Sequence, residues 1–289
     1  MKDYRQIDIN EWKQVGAGYN GQAFVSDNYP GMLLKISRTD MGTKDKIEHE
    51  FFDAKTAYNI GLPTPKVFEI VRDGNDYGYI SQKIEGKKSI ARLCADEPER
   101  IPEFAALMAK VGKELHQTHI ELSEHVVSMK GLLQKAVAIS PLLTDEQREL
   151  LSETTDAMPE TGMCLHGDFQ VGNLIVADGK HYWIDLGWLS QGFYMMDLAH
   201  LYKMMMEESV LPPVQNLTHM SREQMVAFWN SFAKAYVGQE DITALNEALL
   251  PYVVLDIVRS FYLHSNDDPR LLAYLRQRVI EDMRNFTSV

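Results

Sequence analysis

The hydrophobic pattern of the chain changes near residue 86, and this change constrains the fold more than any other feature. Before it, runs such as GMLLKIS and KVFEIVRDGNDYGYISQKI alternate with glycine-bearing turns and predict a small β-sheet. After it, apolar residues recur at helical spacing in PEFAALMAKVGKELHQTHI, EQMVAFWNSFAKAYV, ALNEALLPYVVLDIVRSFYL and DPRLLAYLRQRVIEDMRNF. We therefore predict an α+β chain with a β-rich part at residues 1–83 and a mainly α-helical part at residues 84–289.

Each part contains one element of the other kind. In the β-rich part, KDKIEHEFFDAKTAYNI predicts a helix, which the following GLPTP would end. In the helical part, NLIVA and HYWIDL flank DGK and predict a β-hairpin. A three-residue loop would place Asn173 opposite Asp185, with Cβ atoms roughly 5 Å apart, whereas a two-residue loop would shift the register by one. Both registers are compatible with the sequence, and we favour the first because it brings two oxygen ligands together.

Composition excludes several classes of function. The 289 residues are 45% hydrophobic and 24% charged, as in an ordinary globular protein, and the net charge of -12 argues against nucleic acid or an anionic membrane as partner. A cationic small molecule would be less opposed. With only Cys94 and Cys164, no apolar leader and no run of 18 apolar residues, we expect a cytoplasmic protein with reduced thiols that does not enter membranes. None of these totals indicates an oligomeric state.

The stretch CLHGDFQVGNLIVADGKHYWIDLGW contains oxygen ligands and a candidate base within one short segment. Asn173 and Asp185 carry the amide and carboxylate oxygens that Mg²⁺ prefers. Asp168, five residues before Asn173, can accept a proton from a hydroxyl that attacks a bound phosphate. Taken singly, such residues are usually found on solvated turns, but their joint spacing indicates phosphoryl transfer.

The β-rich part supplies a candidate nucleotide site. The segment VGAGYNGQAF has a G-x-G-x-x-G pattern, formed by Gly16, Gly18 and Gly21, that lets backbone N–H groups approach phosphates. Another strand follows it, whereas a dinucleotide fingerprint would lead into a helix. No Walker sequence occurs in the chain.

Lys35 lies on the next predicted strand, and Glu50 follows 15 residues later on the predicted helix. This spacing suits the lysine–glutamate pair that positions nucleotide phosphates in kinases. Glu48 is an alternative partner, because it lies on the same helix only two residues away.

The motifs HGDFQVGN, IDLG and DLAH together resemble the H-G-D-x-x-x-x-N and D-x-G pattern of the aminoglycoside phosphotransferase and choline kinase-like family, small-molecule relatives of protein kinases. The resemblance implies a bilobal protein kinase-like fold with a small N-lobe and a helical C-lobe. It also implies phosphorylation of a hydroxyl on a small molecule, dependent on ATP and Mg²⁺.

The resemblance also assigns roles to residues. Asp168 becomes the catalytic base, and Asn173 and Asp185 become the Mg²⁺ ligands. His166 would orient the catalytic loop, and Asp197 would be a structural aspartate beneath it. In the YISQKIEG junction, the carbonyl of Gln82 and the N–H of Ile84 would bind the adenine, a contact that places little demand on side-chain identity.

Two other functions remain open. A catalytically inactive nucleotide-binding scaffold is disfavoured because each motif position retains a competent residue. A protein kinase is disfavoured because only 11 residues separate Asp185 from Asp197 and no A-P-E sequence follows. His116 and His119 have a carboxylate nearby but no third ligand at zinc spacing, so packing or a surface position is the preferred interpretation.

We predict a hydroxylated amine, such as an aminoglycoside or an amino alcohol, as the acceptor. The prediction rests on the acidic total charge and on Asp267 and Asp268 in SNDDPR, although such residues before proline also commonly begin a helix. Aromatic side chains could enlarge the preference for a cation, with Trp229, Tyr252 and Tyr262 as candidates that are also typical of a core.

Overall fold

The computed structural model describes residues 4–17, 21–37, 44–264 and 269–286. The chain divides into two compact units. The first unit comprises Met1–Ser89 and Asn173–Leu189, and the second comprises Ile90–Gly172 and Ser190–Val289. Residues 84–89 and the segment from Asn173 therefore pack with the first unit, a division that differs from the predicted lobes at 1–83 and 84–289. The lobe boundary stays a prediction.

The secondary structure follows the predicted change of pattern. Up to residue 89 the elements are β1 (Arg5–Gln6), β2 (Lys13–Ala17), β3 (Gln22–Val25), β4 (Met32–Ile36), α1 (Lys44–Asn59), β5 (Val67–Asp73), β6 (Asp76–Gln82) and β7 (Lys88–Ser89). Next come α2 (Ile90–Asp96), α3 (Ile101–His116), β8 (Val127–Ser128), α4 (Met129–Ile139), α5 (Asp145–Asp156), β9 (Cys164–Leu165), β10 (Leu174–Ala177) and β11 (Lys180–Trp183). The last are β12 (Ser190–Gln191), α6 (Met195–Tyr202), α7 (Pro212–Thr218), α8 (Arg222–Val237), α9 (Thr243–His264) and α10 (Pro269–Phe286). Short 3-10 turns span Ile9–Glu11, Pro98–Arg100 and Glu208–Val210, and a π-helical turn spans Lys203–Glu207.

The first unit is built on a six-stranded sheet in the order β1-β5-β6-β4-β3-β2. Its neighbouring strands are antiparallel except β1 and β5, which are parallel. Because strand side chains alternate between faces, the sheet supports two hydrophobic clusters. One contains Trp12, Phe24 and Leu34, and the other packs Ile47 and Phe51 of α1 against the sheet.

The predicted helix of this unit is α1, and it ends as the sequence indicates. After Asn59, Gly61 has a φ of 87°, a left-handed conformation that glycine adopts without a Cβ penalty. Leu62, which follows, is buried, and its N–H donates to the carbonyl of Ala57, which closes the C-terminus of the helix.

The predicted hairpin forms, but the favoured register is wrong. Leu174 pairs with Trp183 and Ala177 with Lys180, so the loop has two residues and Asn173 lies opposite Ile184, whose N–H donates to the Asn173 carbonyl at 2.9 Å. The cause lies in the turn, where Asp178 and Gly179 both have positive φ, 48° and 72°. Two consecutive left-handed residues form the tight turn whose twist matches that of the flanking strands.

The second unit is mainly helical, as predicted. The four patterns quoted from the sequence correspond to α3, α8, α9 and α10. Ser221 caps α8 in a reciprocal capping box with Gln224, and Gly238 ends it with a φ of 74°. This unit also contains a small sheet of β8, β12 and β9, which precedes α6. Within the described ranges, no helix has both the length and the apolar character to cross a membrane.

Candidate active site

In the first unit, Lys35 is the centre of a charged cluster. Its Nζ forms an ion pair with Glu50 Oε1 and another with Asp185 Oδ1 at 2.8 Å, while Tyr79 Oη donates to Glu50 at 2.9 Å. Burial lowers the pKa of the ammonium group, but electrostatic interactions with Tyr79, Glu50 and Asp185 raise it well above its ordinary value. Lys35 is therefore a permanent cation held between two carboxylates.

Strand register and helical phase explain this geometry. Lys35 on β4 pairs with Tyr79 on β6, so their side chains share the face that α1 covers. Glu50 on α1 points toward this face. Glu48 is a separate case, since two helical residues differ in direction by about 200°. It contacts Tyr4 and lies 3.6 Å from Lys44.

Asp185 reaches Lys35 through its backbone conformation. Strand β11 ends at Trp183, and Asp185 has a φ of 56°, in the left-handed region where aspartate is among the few tolerated residues. Strand alternation therefore does not set its direction. Two residues later, a Cβ on Gly187 would lie 3.2 Å from Glu50 Cγ, so a glycine at this position allows the segment to pack closely on α1.

The glycine-rich segment is only partly within the described ranges. Gly16 lies on β2, where the pairing with β3 contains an irregularity, and Gly18 lies outside the described residues. Gly21 precedes β3, and a Cβ there would come 2.6 Å from the backbone oxygen of Ile36. Only glycine fits at this close approach of two backbones.

The two predicted adenine contacts lie at the end of β6. Gln82 pairs with Met32 across the sheet, and its N–H donates to the Lys66 carbonyl at 2.7 Å. Ile84 lies two residues beyond the strand and is partly buried. Their roles toward a nucleotide stay predictions.

In the second unit, Asp197 fixes the HGD loop through its backbone. Its carboxylate accepts from the N–H groups of His166, at 2.7 Å, and Gly167, at 2.9 Å. His116 Nε2 lies 3.0 Å from the same carboxylate, and His116 Nδ1 lies 2.8 Å from the Tyr236 hydroxyl. Burial raises the pKa of Asp197, but the contact with His116 outweighs it, so the pKa falls below its ordinary value.

The surroundings of Asp197 show where two histidines considered in the sequence analysis, His116 and His166, lie. His116 is a buried partner of Asp197, in agreement with the packing interpretation, and in the described part of the chain no group of three or more His, Cys, Asp or Glu side chains is arranged to hold a metal ion. His166 is fully buried, and its Nδ1 accepts from the Asp168 N–H at 3.3 Å. The ring therefore contacts the backbone of the residue that it was predicted to orient.

Asp168 itself faces a residue that the sequence analysis missed. His200 Nε2 lies 3.1 Å from Asp168 Oδ1, and His200 Nδ1 lies 3.0 Å from Asp256 Oδ2. His200 closes the DLAH motif, three residues after Asp197, so its place on the same helical face was the one available signal. Asp256, on α9, carries no such signal.

Asn173 opens the hairpin segment of the first unit, directly before β10, and its side chain is almost fully buried. The structure thus gathers Lys35, Glu50 and Asp185 in the first unit. Asp168 and His166 belong to the second unit. Asp267 and Asp268 lie outside the described residues.

A small, mainly antiparallel sheet carries a lysine that pairs with a glutamate on a helix, and a helical unit with an HGD loop follows in the sequence. Together these features define the protein kinase-like fold class. The sequence matches the phosphotransferase enzyme family over residues 11–227, and the chain belongs to this family. No curated protein sequence matches the chain significantly.

Solved structures agree with this fold. A choline/ethanolamine kinase family protein from Mesorhizobium loti is 14% identical, with a TM-score of 0.61 over 94% of this chain and 87% of that one. The kinase hAmiN, solved with AMP-PNP, Ca²⁺ and amicoumacin, is 15% identical, with a TM-score of 0.59 over 96% and 90%. The GDP and kanamycin complex of an aminoglycoside 2″-phosphotransferase is 15% identical, with a TM-score of 0.60 over 96% and 95%. The predicted family and the α+β kinase-like fold are confirmed.

Proposed function

We propose that this chain transfers the γ-phosphoryl group of ATP, in the presence of Mg²⁺, to a hydroxyl of a small molecule. The observation that carries the proposal is the cluster of Lys35, Glu50 and Asp185 in the first unit. A lysine held as a cation by a helix glutamate is the group that fixes nucleotide phosphates in kinase-like enzymes. A structural ion pair alone would not require the second, half-exposed carboxylate of Asp185.

The side chains proposed as metal ligands, an amide and a carboxylate, are of the types that a hard divalent cation takes. Asp185 offers a carboxylate with a 52% exposed side chain, and Asn173 offers an amide oxygen. When bound there, Mg²⁺ would neutralise charge that develops on the phosphate oxygens. Asn173 would be held by its place directly before β10, and Asp185 by its left-handed backbone.

Asp168 is the proposed proton acceptor. Its side chain is about one-third exposed, while the loop behind it is fixed by the contacts of His166 and Gly167 with Asp197. A partly exposed carboxylate on a rigid loop can take the hydroxyl proton of an acceptor as the phosphoryl group is transferred. Catalysis of this kind consists mainly of positioning and charge stabilisation.

The nucleotide contacts complete the proposal. Backbone N–H groups of the segment with Gly16, Gly18 and Gly21 would approach the phosphates, and backbone groups of Gln82 and Ile84 would bind the adenine. Gly21 also packs closely against the backbone of Ile36 on β4, which gives a separate, structural reason for glycine at this position.

For the acceptor we propose a hydroxylated amine, such as an aminoglycoside or an amino alcohol. The net charge of -12 favours a cation, although one exposed carboxylate attracts an ammonium by about 1 kcal/mol or less. Structures of similar fold were solved with kanamycin and with amicoumacin, which places such compounds first in a screen. The decisive comparison is kcat/KM for matched amine and neutral acceptors at low and high salt, and a neutral acceptor that wins at both would contradict this choice.

Asp168→Asn tests the reaction itself. We expect turnover to fall on the order of 10²- to 10⁴-fold, because the proton acceptor is lost, while ATP affinity stays within a few-fold. Asp178→Asn, the same substitution on the exposed hairpin turn, is the matched control and should leave both unchanged. Product formation and nucleotide binding are measured separately. A scaffold would bind ATP without forming phosphorylated product, and wild-type turnover in the Asp168 variant would exclude it as the base.

A further inference from the structure

A line of buried charged groups leads from Asp168 into helix α9. His200, on α6, bridges two carboxylates, with Nε2 3.1 Å from Asp168 and Nδ1 3.0 Å from Asp256. A neutral imidazole carries a single N–H, and an ionised carboxylate only accepts hydrogen bonds. The Nδ1 contact with Asp256 is a hydrogen bond, whereas Nε2 lies within ion-pair distance of Asp168 without hydrogen-bond geometry, so the two carboxylates together favour the imidazolium.

Asp256 is held in its ionised form by cations from two elements. Lys203 Nζ lies 2.7 Å from Asp256 Oδ2, and Arg259 Nη2 lies 2.7 Å from Asp256 Oδ1. Asp256 is fully buried, yet the charges of Lys203, Arg259 and His200 outweigh that burial and keep its pKa well below the ordinary value. Asp256 is thus a fixed anion behind the ring.

The surrounding charges nearly balance, which explains how so many are buried together. Glu208, in a 3-10 turn, lies 4.0 Å from Lys203. Among the described residues, the ion pairs connected to the ring join three cations to three anions: His200, Lys203 and Arg259 with Asp168, Asp256 and Glu208. Removing a buried member such as Asp256 or Lys203 would leave an uncompensated charge in a buried setting, which is costly.

The charge state of His200 follows from these neighbours. Burial of the ring lowers its pKa, but the charge of Asp256 and the contacts with both carboxylates outweigh burial and raise the pKa to about 9. The ring is therefore protonated at neutral pH.

We infer that His200 is a positioning residue for the proposed phosphoryl transfer: as an imidazolium held by Asp256, it fixes the carboxylate of Asp168 in one orientation. This inference rests on the proposed role of Asp168 as the base. Asp168 is only partly buried and lies on a loop, and an ion pair with a ring that is itself anchored on Asp256 favours one rotamer of its carboxylate. His200 contacts the base and not the reacting atoms, so it acts through Asp168.

The enzymatic test uses His200→Gln, which keeps a hydrogen-bonding side chain but cannot carry the charge. We expect kcat to fall about 10- to 100-fold, because misplacement of a catalytic group costs up to this much, with the KM for ATP within a few-fold. The pH profile of kcat/KM should lose the decrease near pH 9 that His200 causes in the wild type. His119→Gln is the matched control, since His119 is exposed and pairs only with the exposed Glu121 among the contacts described. A wild-type kcat with an unchanged pH profile would overturn the inference.

The charge of His200 can be measured without any substitution or turnover. In ¹⁵N-labelled wild-type protein, the ring nitrogens of His200 should have imidazolium chemical shifts at pH 7 and should titrate near pH 9. Titration below pH 7 overturns the inference even if the enzyme phosphorylates an acceptor. An imidazolium at pH 7 in a protein that phosphorylates no acceptor would instead refute the proposed function, and the two failures are therefore distinct.

Discussion

Asp53 lies on α1, one helical turn after Glu50, in a setting that opposes its charge. Its side chain is fully buried, and neither carboxyl oxygen has a hydrogen-bond partner among the described residues. Burial, with a smaller contribution from the charge of Glu50, raises its pKa from an ordinary 3.8 to about 9. The group is then protonated at pH 7 in the folded protein but ionised in the unfolded chain.

The sign of the effect follows from this difference. An acid with a raised pKa in the folded state destabilises the protein at every pH above its unfolded pKa, because folding must take up a proton. Between pH 3.8 and pH 7 the cost is about 4 kcal/mol at 1.36 kcal/mol per pH unit. Asp53→Asn has the same shape and no charge. We therefore expect it to raise the free energy of unfolding by up to about 4 kcal/mol at pH 7, with no effect near pH 4.

Urea denaturation across this pH range measures the effect. Three of the four tryptophans, Trp12, Trp183 and Trp188, belong to the first unit, so fluorescence mainly reports the unit that contains Asp53. Asp27→Asn, on an exposed turn of the same unit, should show no pH-dependent gain.

A charged pair between His49 and Asp53 would give the opposite result. Its Nε2 lies 3.3 Å from Asp53 Oδ2, and its side chain is 37% exposed. If the two residues formed a charged pair, Asp53→Asn would remove an attraction and make the protein less stable than the wild type near pH 6. That result would refute the conclusion that Asp53 is neutral.

Four further substitutions test other parts of the structure. Lys35→Ala should lower turnover and raise the KM for ATP, and an effect confined to the acceptor KM would contradict its phosphate role. Asp185→Ala should weaken nucleotide binding and turnover together, and an unchanged Mg²⁺ dependence of activity would exclude it as a ligand. Gly112→Ala would place a Cβ 2.7 Å from Phe169 Cζ, so we expect thermal denaturation to report a loss of about 1–3 kcal/mol, despite a gain of up to about 1 kcal/mol in helix propensity. Gly131→Ala meets only ordinary contacts and should stabilise the protein; equal effects of the two alanines would refute this reasoning.

The periodic parts of the fold could be predicted from the sequence because they depend on local patterns. Alternating runs became the strands around Lys35, and helical spacing became α3, α8, α9 and α10. The hairpin register could not be predicted in this way. DGK is compatible with two loop lengths, and the choice depended on whether Asp178 would adopt a left-handed backbone conformation.

In the candidate site, too, some residues could be predicted from local motifs and others depended on packing. The choice of Glu50 over Glu48 depends on the phase of α1 against the sheet, which only packing determines. The contact of His200 with Asp256 depends on the packing of α6 against α9, elements separated along the chain by two helices. The motifs therefore predicted the groups that we propose perform the chemistry, while the residues that contact those groups required the tertiary structure.

The segment Asn173–Leu189 belongs to the first unit although the chain builds much of the second unit before it. During synthesis, residues 90–172 are made before β10, β11 and Asp185, which pairs with Lys35. The first unit therefore cannot complete its charged cluster co-translationally until residue 185 has emerged. An expression fragment that stops at Ser89 would lack Asp185. To produce the first unit alone, its two chain segments would have to be joined by a linker or by circular permutation of the gene.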